Sequence, residues 1–326
     1  MGPGALQSII QGLRIPAHPA LVVGLERADD AAVYQINAQT TIVQTVDFFP
    51  PIVDDPYDYG YIAATNALSD IYAMGGTPIL ALAIAGFPES LSTHTIQRIL
   101  QGGIDAVTAT GAVVAGGHTI IDAEPKYGLC VTGTIDPSLV ARKRGVELGD
   151  AIILTKALGT GVITTAAKRR IVDATAYAAA IHSMKQLNRN AAHLAVAHGV
   201  HAMTDVTGFG LVGHLLEMLA AHSLGVSLNL DALPILPTVQ SLVEAGVVPG
   251  GLARNRVHVL TQGVRGTDQV PPWLFDVACD PQTSGGLLCA IPRAQVAAFC
   301  AALAAAGETA TVIGEVVASP GMVVHA

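Results

Sequence analysis

The chain has 326 residues, 17 basic and 25 acidic, for a net charge of −8, so it has no basic excess of the kind that tracks a phosphate backbone, and nucleic acid is not expected as a partner. Only 13% of residues are charged and 51% are hydrophobic; a mean hydropathy of +0.50 excludes a disordered chain. The longest apolar runs, near Ile79–Phe87 and Val296–Gly307, fall short of the ~20 residues that span a bilayer, so no membrane partner is expected. At ~150 residues per domain the length predicts two domains. The four cysteines, Cys130, Cys279, Cys289 and Cys300, form no C-x-x-C pair, which signals neither a disulfide framework nor a zinc site. The N-terminus has no basic and apolar leader pattern, and the expected compartment is the cytoplasm.

In chain order, Thr40–Val46 is rich in β-branched residues and predicts a strand ending at Asp47. Residues 58–74 have helical spacing and stop at Gly75-Gly76, an ordinary helix end. Ile79–Ala85 predicts a buried strand, and residues 91–110 a helix weakened by Gly102-Gly103. Val113-Val114 leads into a predicted turn at Gly116-Gly117-His118-Thr119, and Tyr127–Ile135 alternates like a strand. The basic triplet Arg142-Lys143-Arg144 and the turn-forming Gly145–Asp150 segment precede a new apolar strand, Ala151–Leu154. The expected domains are therefore 1–145 and 146–326. The second half contains Lys156 ahead of Gly159-Thr160-Gly161 and a helix. It continues with Ala202–Gly210, which leaves Asp205 at a strand exit, then Cys279–Gly286, an Ala-rich helix near 293–306 and a last strand at Thr311–Val317. The overall pattern is α/β.

Asp29, Asp30, Asp47, Asp70 and Asp205 have no Lys or Arg directly beside them to neutralise their charge, with only Arg27 close in sequence. Unneutralised carboxylates are costly to bury, and a hard divalent cation with oxygen ligands stabilises several at once. Mg²⁺ is such an ion and commonly binds one or two carboxylates plus substrate phosphates, which points to a nucleoside triphosphate and phosphoryl transfer. Asn66 and Asp70 lie one turn apart and form a narrow polar stripe on an apolar helix. The alternative reading of each carboxylate alone is a turn, cap or solvated residue. The pattern G-x-x-x-x-G-K-[ST] does not occur, so a P-loop is excluded. The histidines at 193, 198, 201, 214 and 222 read as surface or packing residues.

Seven blocks carry a resemblance: Arg27-Ala-Asp-Asp-Ala-Ala-Val33, Thr45-Val-Asp-Phe-Phe-Pro50, Ile62-Ala-Ala-Thr-Asn-Ala-Leu-Ser-Asp70, Ala73-Met-Gly-Gly76, Ala115-Gly-Gly-His-Thr119, Met203–Gly210 and Cys279–Gly286. Together they resemble the selenophosphate synthetases, of the aminoimidazole ribonucleotide synthetase-like superfamily. The resemblance implies a two-domain α/β (α+β) fold whose N-terminal sheet pairs with that of a second copy into a barrel, giving a homodimer. It implies ATP and selenide as substrates, with selenophosphate, AMP and orthophosphate as products. By motif, Asp30, Asp70 and Asp205 would hold Mg²⁺. Arg27, Ala28, Asp29, Asp47 and Asp70 would line the ATP site, and Gly117, His118 and Thr119 would contact nucleotide, in this subunit or its partner. The family's Gly-rich segment, with its Cys or selenocysteine and a Lys, aligns ahead of Met1, and the first Lys and Cys here are Lys126 and Cys130. No catalytic residue of that segment is therefore assigned, and the chain as written is expected to bind nucleotide without making selenophosphate at a useful rate. A sister-family ATP-dependent enzyme and an inactive nucleotide-binding dimer are the alternative readings.

Overall fold

The computed structural model describes residues 9–10, 12–25, 29–220 and 222–326. It divides into two compact units: residues 15–140 with 184–189, and residues 141–183 with 190–326, to which the described residues before Ile15 also belong.

The N-terminal unit contains β1 (Leu21–Val23), β2 (Ala32–Gln35), β3 (Thr41–Phe49), α1 (Pro56–Ala73), β4 (Thr77–Phe87), α2 (Thr93–Thr108), β5 (Val113–Ile121) and β6 (Lys126–Ile135). The strands form one sheet in the order β1-β2-β3-β6-β4-β5, antiparallel except for the β4–β5 pair. Period-two alternation places Val43 inside, fully buried, and Val46 and Phe48 outside, 56% and 48% exposed.

Helix α1 starts at Asp55, whose side chain accepts from Asp58 N, with Pro56 in the first turn. It is buried on nearly all sides. Gly102-Gly103, which weakens the α2 pattern in sequence, is what allows α2 to approach its neighbours, Gly102 against α1 and Gly103 against β6. A Cβ on Gly102 would stand 2.0 Å from Tyr57 O, and one on Gly103 would stand 2.0 Å from Tyr127 Oη.

Three sequence expectations are corrected here. Strand β3 does not end at Asp47 but runs to Phe49, because Asp47, Phe48 and Phe49 continue the ladder opposite Leu129, Gly128 and Tyr127. Gly116–Thr119 is not a turn but part of strand β5, with Ala83 beside Gly117 and Ile84 beside His118. Gly117 belongs there for steric reasons, since a Cβ would meet Ala83 O at 2.1 Å. Thr311–Val317 is not the last strand; Gly321–His325 follows and pairs in parallel with residues 225–229.

The C-terminal unit contains β7 (Ala151–Leu154), α3 (Thr160–Lys168), α4 (Ala174–Lys185), α5 (Arg189–Ala197), β8 (Ala202–Asp205), α6 (Gly210–Leu219), β9 (Gly225–Asn229), α7 (Val239–Glu244), α8 (Gly250–Thr261), α9 (Pro272–Cys279), β10 (Leu287–Ile291), α10 (Val296–Ala305), β11 (Thr311–Val317) and β12 (Gly321–His325). Its sheet order is β12-β9-β11-β7-β10-β8. The central strands β7 and β10 are buried at every position, which explains their unbroken apolar runs. Residues 184–189, at the junction of α4 and α5, belong to the N-terminal unit. There Lys185 Nζ lies 2.6 Å from Asp58 Oδ1, and Asn188 Nδ2 donates to Ser69 Oγ at 2.8 Å.

Candidate functional site

Strand β3 and helix α1 bring the principal carboxylates of the N-terminal unit together. Thr45 and Asp47 are two apart on one face of β3, and Asn66 and Asp70 are four apart on one face of α1. Asn66 Nδ2 donates to Asp47 Oδ2, and Thr45 Oγ1 donates to Asp70 Oδ2 at 2.6 Å. Burial pushes the Asp47 carboxyl up to about 6, against the opposing hydrogen bonds from the Phe48 backbone and Asn66. Asp47 is thus an ionisable group under tension, mostly charged at neutral pH and held in one orientation.

Asp29 and Asp30 are half-buried, and Asp30 N donates to Asp29 Oδ1 at 3.1 Å. Arg27 and Ala28 lie outside the described residues. Gly117, His118 and Thr119 are exposed on β5, the edge of the sheet. The register runs Asp47–Leu129–Ala83–Gly117 across β3, β6, β4 and β5. Within one unit, Asp47 and Gly117 are therefore three strand spacings apart, roughly 14 Å.

In the C-terminal unit Asp205 is the last residue of β8, opposite Leu287 and 2% exposed for the whole residue. The Cys279–Gly286 motif builds its surroundings. Val206 N donates to Gly286 O at 2.9 Å, Gln282 N donates to Thr207 O at 2.9 Å, and Asn255 Nδ2 donates to Gly208 O at 2.9 Å. Gln282 Oε1 also accepts from Gly159 N, Thr160 N and Thr160 Oγ1, at 3.0, 3.1 and 3.0 Å. Asp280 Oδ2 accepts from Gly161 N at 3.1 Å, from Val162 N at 3.3 Å and from Gln282 Nε2 at 2.8 Å. These side chains supply acceptors for the first N–H groups of α3, the groups a helix leaves unsatisfied. Burial pushes Asp280 up to about 7 in spite of those donors.

Lys156 is buried and donates to Ser284 O at 3.0 Å. Burial pulls it down to about 7, partly offset by the charges of Asp205 and Glu308. The four cysteines are free thiols, and burial pushes Cys279 up to about 12, which suppresses the nucleophilic thiolate.

Sequence reasoning missed the partners that hold the carboxylates, Thr45 and Gln282 above all. Among the described residues no three His, Cys, Asp or Glu side chains gather to hold a metal ion, and no helix is long and apolar enough to cross a membrane. A wholly protein-made cage is not the form Mg²⁺ needs; one or two carboxylates with phosphates and water suffice.

Residues 28–135 match the family described as AIR synthase related protein, N-terminal domain, and residues 147–326 match its C-terminal domain. The chain is 47% identical over 326 residues to the selenide, water dikinase of Burkholderia ambifaria, covering 99% of this chain and 92% of that protein. It is 44% identical over 322 residues to that of Pelobacter propionicus, covering 98% and 92%. The chain belongs to the selenide, water dikinase family. Its fold is also similar to that of more distant solved structures. The HypE–HypF complex aligns with a TM-score of 0.74 at 14% identity, covering 99% of this chain and 96% of the other. AaThiL complexed with AMPPCP and TMP aligns with a TM-score of 0.71 at 18% identity, covering 99% and 93%. These last two establish the fold of this selenide, water dikinase family member alone.

Proposed function

We infer that this chain is an ATP-dependent phosphotransferase that converts ATP, selenide and water into selenophosphate, AMP and orthophosphate. The observation that carries this reading is the 44–47% identity to selenide, water dikinases along nearly the whole chain. Sister chemistries on other small substrates are disfavoured, because the ThiL and HypE structures share only 18% and 14% of their residues with it.

The finer reading assigns nucleotide contacts to Asp29, Asp47 and Asp70, with Arg27 and Ala28, and places Mg²⁺ at Asp30, Asp70 and Asp205. The donor chemistry supports the ion, since these are hard carboxylate oxygens without thiol or imidazole among them. Bound Mg²⁺ would neutralise charge that develops on the phosphates. The protein's own part is orientation. Asn66 and Thr45 hold Asp47 and Asp70 in place before substrate arrives, which removes a reorganisation cost from the reacting complex.

A homodimer through the N-terminal sheet is supported by its open face. Val46, Phe48 and Leu82 are 56%, 48% and 43% exposed, and β5 presents an unprotected edge. Gly117, His118 and Thr119 on that edge are proposed to meet nucleotide bound at Asp47, from this subunit or its partner. ATP as substrate supports a cytoplasmic location.

The deciding experiment incubates the chain with ATP, Mg²⁺ and selenide under anaerobic reducing conditions and follows AMP and selenophosphate by phosphorus NMR. AMP formation that requires selenide is the expected result. Phosphorylation of thiamine monophosphate or another acceptor, with no selenide dependence, would overturn the reading.

A further inference from the structure

Four residues of the C-terminal unit form a largely buried polar chain outside the carboxylate set. Lys143 Nζ lies 3.2 Å from Glu217 Oε2, and the same oxygen faces His214 Nδ1 at 3.4 Å. On the other side of the ring, Thr207 N donates to His214 Nε2 at 3.1 Å. A backbone N–H only donates, so Nε2 carries the lone pair, and the proton of the neutral imidazole sits on Nδ1, facing Glu217. The Phe209 ring lies over the imidazole with centroids 5.4 Å apart, and His214 is 4% exposed.

Packing alone does not account for an imidazole here. Leu211, Val212, Leu215 and Met218 are themselves fully buried on α6, and an apolar residue at 214 would fill the site without the desolvation cost of a polar one. What the imidazole adds is its grip on Thr207, two residues beyond Asp205. The Thr207 carbonyl is held in turn by Gln282 N, so the loop leaving Asp205 is fixed from two sides.

We propose that His214 is a positioning residue: by holding Thr207 it sets the backbone that leaves Asp205, and so the direction in which that carboxylate meets a divalent cation, while Glu217 and Lys143 fix the ring's tautomer. The proposal rests on the reading of Asp205 as a cation ligand. Outer partners of this kind commonly govern metal affinity although they never touch the metal.

The test uses the full chain and three substitutions, His214→Leu, His214→Gln and Asp205→Asn. Two quantities are measured: the hydrogen-exchange rate of the Thr207 amide, and the Mg²⁺ concentration that half-saturates binding of a nonhydrolysable ATP analogue. H214L is expected to speed Thr207 exchange by about tenfold or more as the hydrogen bond is lost. It should also raise the Mg²⁺ half-point by about 10- to 100-fold. H214Q, whose amide oxygen reaches the Nε2 position, should restore most of both. D205N should raise the Mg²⁺ half-point while leaving Thr207 exchange slow. If H214L does not fold, H214N takes its place, since its shorter amide reproduces the Nδ1 side of the ring and leaves Thr207 unheld. Unchanged Thr207 exchange in the variant that loses the acceptor would overturn the proposal, as would a normal Mg²⁺ half-point there when D205N shifts it. An unaltered half-point in D205N would instead overturn the cation reading and the purpose assigned to the loop, and the exchange rate would still decide whether His214 holds Thr207.

Discussion

Asn66 and Asp70 stand one turn apart on α1 and reach β3 in reverse order, Asn66 at Asp47 and Asp70 at Thr45. The helix therefore runs against the strand at this point, and two carboxylates, one from each element, each accept from a neutral donor on the other element. A neutral donor orients a carboxylate without cancelling its charge, which at Asp47 leaves that charge available to a cation or a nucleotide.

The cost of this arrangement is measurable at Asp47. Its folded pKa, about 6 against an ordinary 3.8, means that the native state binds more protons than the unfolded chain between those values, so stability falls as pH rises through that window. Asp47→Asn removes the ionisation. The variant is expected to gain about 1–3 kcal/mol of unfolding free energy at pH 7.5 and to lose part of the wild-type decline between pH 4 and 6. Its affinity for ATP should fall. Urea titrations at pH 4.5 and 7.5 check the first two outcomes; a variant less stable than wild type at pH 7.5 would contradict the assignment.

Glu217 has the opposite sign. Burial acts to raise its carboxyl, but the His214 hydrogen bond and the Lys143 charge outweigh burial and bring it down to about 2 from 4.5. A depressed acid contributes stability that is present above its unfolded pKa and lost as pH falls through its folded one. Glu217→Gln is therefore expected to be less stable than wild type at pH 7, with the gap closing between about pH 4.5 and 2. Thermal melts across that range provide the check, and a gap independent of pH would show that Glu217 does not act through its charge.

Gln282 supplies one oxygen to three donors at the start of α3. Removing it strands Gly159 N and Thr160 N in a buried place, so Gln282→Ala is expected to cost about 2 kcal/mol or more. Because the same side chain also donates to Asp280 Oδ2, Gln282→Glu should not rescue it, for it would set a second carboxylate against the first. Equilibrium unfolding of the two variants decides this; a stable Q282E would mean that Asp280 is protonated and serves as the donor.

How far the sequence could be read depended on the range of the cause. The 79–85 run and the 58–74 spacing carry local signals, and both elements are found, as the strand Thr77–Phe87 and the helix Pro56–Ala73. Gly116–Thr119 misled because glycine is punctuation in most contexts, whereas here Gly117 is demanded by the Ala83 carbonyl on a neighbouring strand. The attachment of residues 184–189 to the N-terminal unit depends on Asp58 and Ser69, more than a hundred residues away, and no local pattern announces it. Among the site residues, the carboxylates were visible because no Lys or Arg stands directly beside them. Thr45 and Gln282 fall inside the blocks that carry the resemblance, but their hydrogen-bonding parts were not visible, since a threonine in a strand and a glutamine in a loop do not announce their partners.

The separation of Asp47 from His118 leads to the last prediction. Within one unit they lie on β3 and β5, with β6 and β4 between them, and β5 is an exposed edge beside an apolar open face. If nucleotide at Asp47 is completed by the β5 residues of a second copy, a dimer holds two sites, each built from the Asp47 of one chain and the His118 of the other. Asp47→Asn and His118→Ala homodimers would each have two damaged sites. A mixed dimer would instead have one site carrying both lesions and one carrying neither. Random exchange puts half of all dimers in the mixed class, so a 1:1 mixture should recover roughly a quarter of the wild-type selenide-dependent AMP formation per chain, an amount set by dimer symmetry. The chains are unfolded and refolded together, and each variant refolded alone is the baseline. Recovery near a quarter supports a site shared between copies. No recovery in a mixture shown by differential tagging to contain mixed dimers would place Asp47 and His118 in the same chain's site, with one extended nucleotide bridging the ~14 Å between their strands.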